Sequence, residues 1–144
     1  MKNELTEEDI KKIAAQVRKP EGEHGIEIGE LMNDGNGPMN LHTIAVLNPQ
    51  QNEIILEIGM GNGHFVKNIV SLDSSIKYIG WDYSELMVKE ASQKNNEFVS
   101  QGNASFIHAD AQELPFKNHT FDKVFTINTL YFWDEHVKVI KELV

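Results

Sequence analysis

The sequence predicts an α/β fold, a doubly wound parallel sheet, and three observations predict it. Short apolar runs without polar alternation, such as Ile54–Ile58 interrupted only by Glu57, read as strands buried on both faces. Segments with apolar residues at helical spacing alternate with those runs along the chain. Each run ends on an acidic or amide residue at the strand tip, in the order Glu57, Asp82, Asp110 and Asn128.

At 144 residues the chain has the length of one domain and can bury a sizeable core. The expected division is a helical leader or cap over 1–46 and a ligand-binding domain over 47–144. Apolar residues make up 40% of the chain, which places it in the globular class. The absence of cysteine excludes a disulfide framework and a thiolate metal site. A net charge of −9 argues against nucleic acid as a substrate, because phosphate contacts need basic surface. Lys11, Lys12, Arg18 and Lys19 do cluster, but on a helix rich in acids, and they read as a solvated face. Residues 1–8 are too polar and acidic for a signal peptide, and no apolar run approaches membrane-spanning length. The expectation is therefore a cytoplasmic protein without a membrane span. His24, His42, His64, His108, His119 and His136 sit at no metal-ligand spacing, so no metal is expected.

Thr6, followed by Glu7, Glu8 and Asp9, marks the first helix start: a capping hydroxyl, then acids in the first turn. Ile10, Ile13, Ala14 and Val17 form one apolar stripe, and Pro20 stops the helix. The stripe reads as a packing face, with part of a ligand cap as the other reading. The next segment carries Gly22, Gly25, Gly29, Gly35 and Gly37. It is expected to hold one short helix around Ile26, Ile28, Leu31 and Met32 and then a strong turn over 33–38. A helix over 39–47, with Ile44 and Leu47 inward, closes at Asn48-Pro49. A glycine-rich segment before a ligand-binding strand suits a mobile lid. An ordinary connector is the alternative.

The first strand runs into Gly59, Gly61 and Gly63, then into Phe65, Val66, Ile69 and Val70 at helical spacing. The stretch is strand, glycine turn and a helix over 65–72. Glycine admits φ > 0 and lets a ligand approach where a Cβ would clash. The helix start leaves free N–H groups beside that ligand. The dinucleotide fingerprint G-x-G-x-x-G/A would place its third small residue on His64 and fails. A P-loop fails for want of Gly-Lys-Ser/Thr.

A second strand over 77–81 ends at Asp82, whose carboxylate can accept both hydroxyls of a ribose. That placement supports a nucleoside-containing ligand without choosing one. Ser84 caps the next helix, from Glu85 to about Asn95. Residues 104–108 form a third strand, followed by Asp110-Ala111 and a Leu114-Pro115-Phe116 turn. Asp110 taken alone reads equally as a helix cap, and Met87 taken alone reads as core. A fourth strand over 121–127 ends at Asn128, and a last helix over 135–143 carries Val137 and Ile140 on its stripe.

Four motifs follow one another along the strand tips: Glu57-x-Gly59-x-Gly61-x-Gly63, Asp82-Tyr83-Ser84-Glu85-Leu86-Met87, Asp110-Ala111 with its Leu-Pro-Phe turn, and Asn128. In that order they resemble the class I S-adenosylmethionine-dependent methyltransferases, in particular the type 11 small-molecule group that includes the quinone-biosynthesis enzymes. The resemblance covers about 47–144. It implies a Rossmann-like fold and S-adenosyl-L-methionine as cofactor. It implies that the three glycines let the methionine moiety lie over the turn, and that Glu57 holds the turn and attracts the cofactor's amino group. Asp82 would grip the ribose, and Tyr83 and Met87 would flank the adenine. Asp110 would accept from the adenine amino group, and the Ala111 N–H would meet a ring nitrogen. Asn128 would lie nearest the methyl and contact the cofactor through its backbone. The implied reaction is in-line methyl transfer to a small-molecule acceptor, the protein contributing proximity and orientation. No residue stands out as a general base; Tyr131, Asp134 and His42 are candidates by position alone.

The resemblance also implies a seven-stranded sheet, and this chain stops in the helix after the fourth strand. The C-terminal strands are therefore expected to be absent from it. A fourth strand left as a raw edge invites pairing, so a homodimer through that edge is expected if the chain is complete. A non-catalytic cofactor-binding module or partner subunit is the runner-up reading. A nicotinamide-dependent oxidoreductase is a third, which His64 disfavours.

Overall fold

A computed structural model describes residues 5–109, 120–129, 137, 138 and 141 of the chain. Helices α1 (Glu7–Arg18) and α2 (Gly22–Leu47) precede strand β1 (Ile54–Ile58). Then come α3 (Lys67–Val70), β2 (Lys77–Asp82), α4 (Glu85–Lys94), α5 (Asn96–Ser100), β3 (Ala104–His108) and β4 (Lys123–Thr126). The strands form one parallel sheet in the order β3-β2-β1-β4. The chain steps outward from β1 to β2 to β3, then crosses back to place β4 on the other side of β1. That reversal creates a switch point at the carboxyl ends of β1 and β4, where open α/β sheets take ligands.

The central strand β1 is bonded on both sides, and Ile55, Leu56 and Ile58 are 3% exposed or less. Burial on both faces is why its sequence is nearly continuous hydrophobics. Ile55, Tyr78 and Ala104 pack on one face with Val66, Ile69 and Val70 and with Ala91 of α4. Leu56, Ile58 and Trp81 pack on the other with Ile79, Phe121 and Val124. The Asp122 carboxylate caps the start of β1 by accepting from the Ile54 N–H at 2.7 Å, which sets the register of the returning strand.

Three expectations are corrected by the structure. The turn expected over 33–38 is the middle of a single 26-residue helix, α2, with Pro38 inside it. Packing overrides local turn propensity here. Gly25 and Gly29 are buried, and a Cβ on Gly25 would lie 2.8 Å from Leu86 Cδ2 and from the Pro20 carbonyl carbon. A Cβ on Gly29 would lie 3.3 Å from Met87 Sδ and Cε. These glycines bring α2 close to α4; they do not turn the chain. Pro38 has no N–H to give the Asp34 carbonyl, and the Asn40 side chain adds a bond to the Asn36 carbonyl at 2.9 Å just beyond it. The helix ends at Asn48 in left-handed backbone, φ 47°.

The helix expected over 65–72 is only α3. The Gly63 carbonyl accepts from Asn95 Nδ2 at 2.9 Å and from the Val66 N–H at 3.3 Å, so the turn tightens before a regular helix begins. The α1 stripe does not serve as core: its capping box forms as expected between Thr6 and Asp9, yet no residue of α1 is buried, and Ile10 and Ile13 stay exposed. Of the stripe only Val17, at its end, is half-buried, because α1 packs against α2 and not against the sheet core.

Candidate functional site

A cavity of about 340 Å³ opens at the carboxyl ends of β1, β2 and β4, with α2 along one wall. Gly59, Gly61 and Gly63 all take left-handed backbone, φ +74°, +62° and +73°. Their surroundings differ. A Cβ on Gly59 would overlap Thr129 Cγ2, and its N–H donates to the Trp81 carbonyl at 2.6 Å. A Cβ on Gly63 would lie 2.8 Å from Ala91 Cβ and Asn95 Nδ2, so this glycine lets α4 close on the turn. A Cβ on Gly61 would meet nothing within 4 Å, and Gly61 lines the cavity. Only Gly61 leaves open space where a ligand could lie.

Asp82 ends β2, lines the cavity and is 8% exposed. Its Oδ2 accepts from the Gly61 N–H at 3.0 Å and its Oδ1 from the Ser84 N–H at 2.8 Å. One carboxylate thus clamps the glycine turn to the β2–α4 junction. Burial pushes its pKa up to about 6, against the opposing pull of those amides. Each carboxylate oxygen has a second lone pair, so the clamp leaves acceptor capacity for a ligand.

Glu57 is 6% exposed and accepts from the Tyr78 hydroxyl at 2.6 Å. Burial raises its pKa to about 7; the Tyr78 bond opposes the rise and the nearby Asp82 charge adds to it. Burial, with the Glu57 charge, also pushes the Tyr78 phenol well above its usual range. Gly80 lies opposite Glu57 on β2, and a Cβ there would stand 2.9 Å from Tyr78 Cε1 and Phe106 Cδ1. The missing side chain makes room for the tyrosine ring to reach the glutamate.

Tyr83 and Met87 also line the cavity. Met87 is fully buried against Gly29, whereas Tyr83 is 41% exposed with Lys19 Nζ 5.0 Å above its ring. Ser84 caps α4 through the Met87 N–H and donates its hydroxyl to the Pro20 carbonyl, which ties the α1–α2 junction to the site. Asn128, in left-handed backbone at φ 55°, donates from Nδ2 to Asn36 Oδ1 at 3.1 Å, linking the tip of β4 to α2.

The structure therefore brings Glu57, Gly59, Gly61, Asp82, Tyr83, Met87 and Asn128 to one cavity, while Gly63 packs beneath α4 and is not on its wall. Asp110, Ala111, Tyr131 and Asp134 lie outside the described residues. His42 is exposed and is not on the cavity wall. Sequence reasoning missed the polar wall made by Asn33, Asn36 and Asn40, and the buried Asn62. The spacing of those three asparagines is that of one helix face, a signal hidden by reading 33–38 as a turn. Among the described residues no group of three or more His, Asp or Glu side chains converges on a metal-binding geometry.

Residues 55–144 match a family model described as a methyltransferase domain. The chain is 27% identical over 115 residues to the uncharacterized methyltransferase YdaC of Bacillus subtilis, covering 80% of this chain and 61% of that protein. It superposes with a TM-score of 0.72 and 20% identity on a chain of the Haloferax volcanii complex between the Trm112 methyltransferase activator and a methyltransferase, covering 80% and 49% of the two chains. A SAM-dependent methyltransferase from Thiobacillus denitrificans, solved with S-adenosyl-L-homocysteine, aligns with a TM-score of 0.58 and 22% identity over 74% of this chain and 42% of that one. The chain thus spans 61% or less of the length of each of these relatives.

Proposed function

We propose that the chain, which belongs to the methyltransferase-domain family matched by residues 55–144, binds S-adenosyl-L-methionine as its cofactor and transfers the methyl group to a small-molecule acceptor. The observation that carries this reading is the cavity at the switch point, where Gly61 leaves open space beside the buried Asp82 carboxylate. The residues suit the cofactor: a glycine turn for the amino-acid portion, a carboxylate with spare acceptor capacity for the ribose, and a buried thioether beside an aromatic rim for the base. When bound, the cofactor supplies a sulfonium methyl with an activated leaving group, open to in-line displacement by the acceptor.

In this proposal the chain's own residues bind and orient. Asp82 holds the ribose while keeping the turn in place through the Gly61 N–H. Glu57 offers a carboxyl acceptor under the turn to an amino group, ionised above about pH 7, and Tyr78 holds that carboxyl in one orientation. Gly59 and Gly63 shape the turn, Tyr83 and Met87 flank the adenine, and Asn128 lies nearest the methyl. Asp110 and Ala111 are proposed to read the adenine edge. The leader, 1–46, acts as a cap on the cofactor domain, 47–144. We place the protein in the cytoplasm. No described helix is long and apolar enough to cross a membrane. Among the described residues β4 pairs only with β1, and we propose self-association through its other edge.

The test is calorimetric titration of the intact chain and of Asp82→Ala with S-adenosylmethionine and S-adenosylhomocysteine. Binding that falls at least about tenfold in the variant supports the reading, the loss expected when a charge-assisted bond is removed. No binding, or equal binding by both proteins, overturns it. Binding without methyl transfer to any small acceptor leaves a non-catalytic module.

A further inference from the structure

We infer that Asn62 is a positioning residue that locks the glycine turn to α2 and couples ligand binding to the docking of that helix over the cavity. The inference rests on the cofactor reading above and concerns a residue to which that reading gives no role. Asn62 stands between the left-handed Gly61 and Gly63, lines the cavity and is 3% exposed. A buried carboxamide is costly unless its polar atoms are bonded. Both are. Its Oδ1 accepts from the His64 N–H at 3.3 Å and closes the turn from within. Its Nδ2 donates to Glu30 Oε1 of α2 at 3.3 Å.

Glu30 makes the contact more than incidental. The same Oε1 accepts from Lys94 Nζ of α4 at 2.9 Å. One carboxylate oxygen thus gathers a donor from the glycine turn and a donor from α4. It does so one residue past Gly29, where α2 comes within contact of Met87. The Lys94 bond holds the Glu30 carboxyl below its usual range, so the acceptor offered to Asn62 is an ionised one. If α2 lifts, Asn62 loses its acceptor, and the turn loses a tie that fixes its shape. A ligand that requires that shape therefore favours the docked position of α2, and docking favours the ligand equally, since such coupling is reciprocal.

The variants Asn62→Asp, Glu30→Gln and the two combined separate this from simple packing. Asn62→Asp keeps the side chain's size and its acceptor toward His64, but removes the donor and sets a carboxylate against Glu30. Calorimetry with S-adenosylhomocysteine should show binding weakened at least about tenfold in Asn62→Asp, and a loss of a few-fold in Glu30→Gln. The combined variant restores a donor facing a carboxylate and should bind within about threefold of the unaltered chain. Hydrogen exchange should show S-adenosylhomocysteine slowing the amides of α2 in the unaltered chain and not in Asn62→Asp. Unchanged binding by Asn62→Asp, a combined variant no better than Asn62→Asp, or α2 exchange indifferent to ligand would each overturn the inference. Failure of the unaltered chain to bind overturns the cofactor reading itself and this coupling with it, a distinct result from binding that ignores Asn62.

Discussion

Gly59, Gly61 and Gly63 share one backbone conformation, but their neighbours differ, and so do the expected costs of replacing them. Alanine at Gly59 adds a clash with Thr129 to the left-handed strain. Alanine at Gly61 adds only the strain, about 1 kcal/mol, because its methyl meets open space. Gly59→Ala should therefore lower the unfolding temperature more than Gly61→Ala. Gly61→Ala should lose cofactor affinity out of proportion to its stability, because its methyl enters the cavity. Comparing melting temperature with dissociation constant for the two variants checks both statements. Glu57 supports a second residue-scale prediction. The folded protein keeps its proton up to about pH 7, whereas the unfolded chain releases it near 4.5. Between those values the folded state binds more protons, so stability falls as pH rises through the window and levels off above it. The shift corresponds to about 3 kcal/mol, and Asp82, raised from 3.8 to about 6, adds a loss of the same sign. The melting temperature should fall between about pH 5 and about pH 7.5, and Glu57→Gln should flatten most of that slope. Tyr78→Phe removes the hydroxyl that steadies the glutamate. It should cost about 1–3 kcal/mol, more above pH 7 than below, measured by denaturant titration at both.

At the scale of the element, α2 is the part of the molecule that local reading got wrong. Asn-Asp-Gly-Asn-Gly-Pro has the composition of a turn, yet these residues continue a helix whose half-buried face carries Asn33, Asn36 and Asn40. The two sets of glycines in it have opposite value. Gly35 is exposed, helical and has nothing within 4 Å of a built Cβ. Gly35→Ala should stabilise the protein by about 0.5–1 kcal/mol, since glycine carries an entropic cost in a helix. Gly25 has backbone carbon of Pro20 at 2.8 Å from that position. Gly25→Ala should destabilise by about 1–3 kcal/mol, because a backbone neighbour cannot step aside as a flexible side chain can. Denaturant unfolding of the two variants reads both signs. Three strands follow their sequences closely, β1 and β3 over the spans expected and β2 longer by one terminal residue, whereas β4 is Lys123–Thr126 where 121–127 was expected. The helix after the glycine turn was overextended, because nothing local announces that Asn95 takes the Gly63 carbonyl.

At the scale of the whole molecule, the strand order β3-β2-β1-β4 sets two structural features at once. It places the cavity at the reversal beside β1, and it leaves β4 with one neighbour among the described residues. Sedimentation velocity should show a dimer that charged substitutions along the outer edge of β4 dissociate; a monomer throughout the micromolar range counts against pairing there. Glu57, Asp82 and Asn128 were legible as strand-tip residues because strand boundaries follow from local apolar runs, and parallel strands put their carboxyl ends on one side.

Element type along the sheet, the glycine turn and the acids at its edge were set by the sequence itself. Apolar continuity, glycine torsion freedom and capping are short-range physics that each stretch carries with it. Tertiary structure alone decided that α2 runs unbroken along the cavity, that Gly61 and not Gly63 lines it, and that Glu30 reaches Asn62. Those outcomes depend on which atoms arrive from elsewhere in the chain: Leu86 and Met87 against α2, Ala91 and Asn95 against Gly63, Tyr78 in the space left by Gly80. A local pattern can state that a glycine is permitted, but only the packed neighbours determine what its missing side chain makes room for.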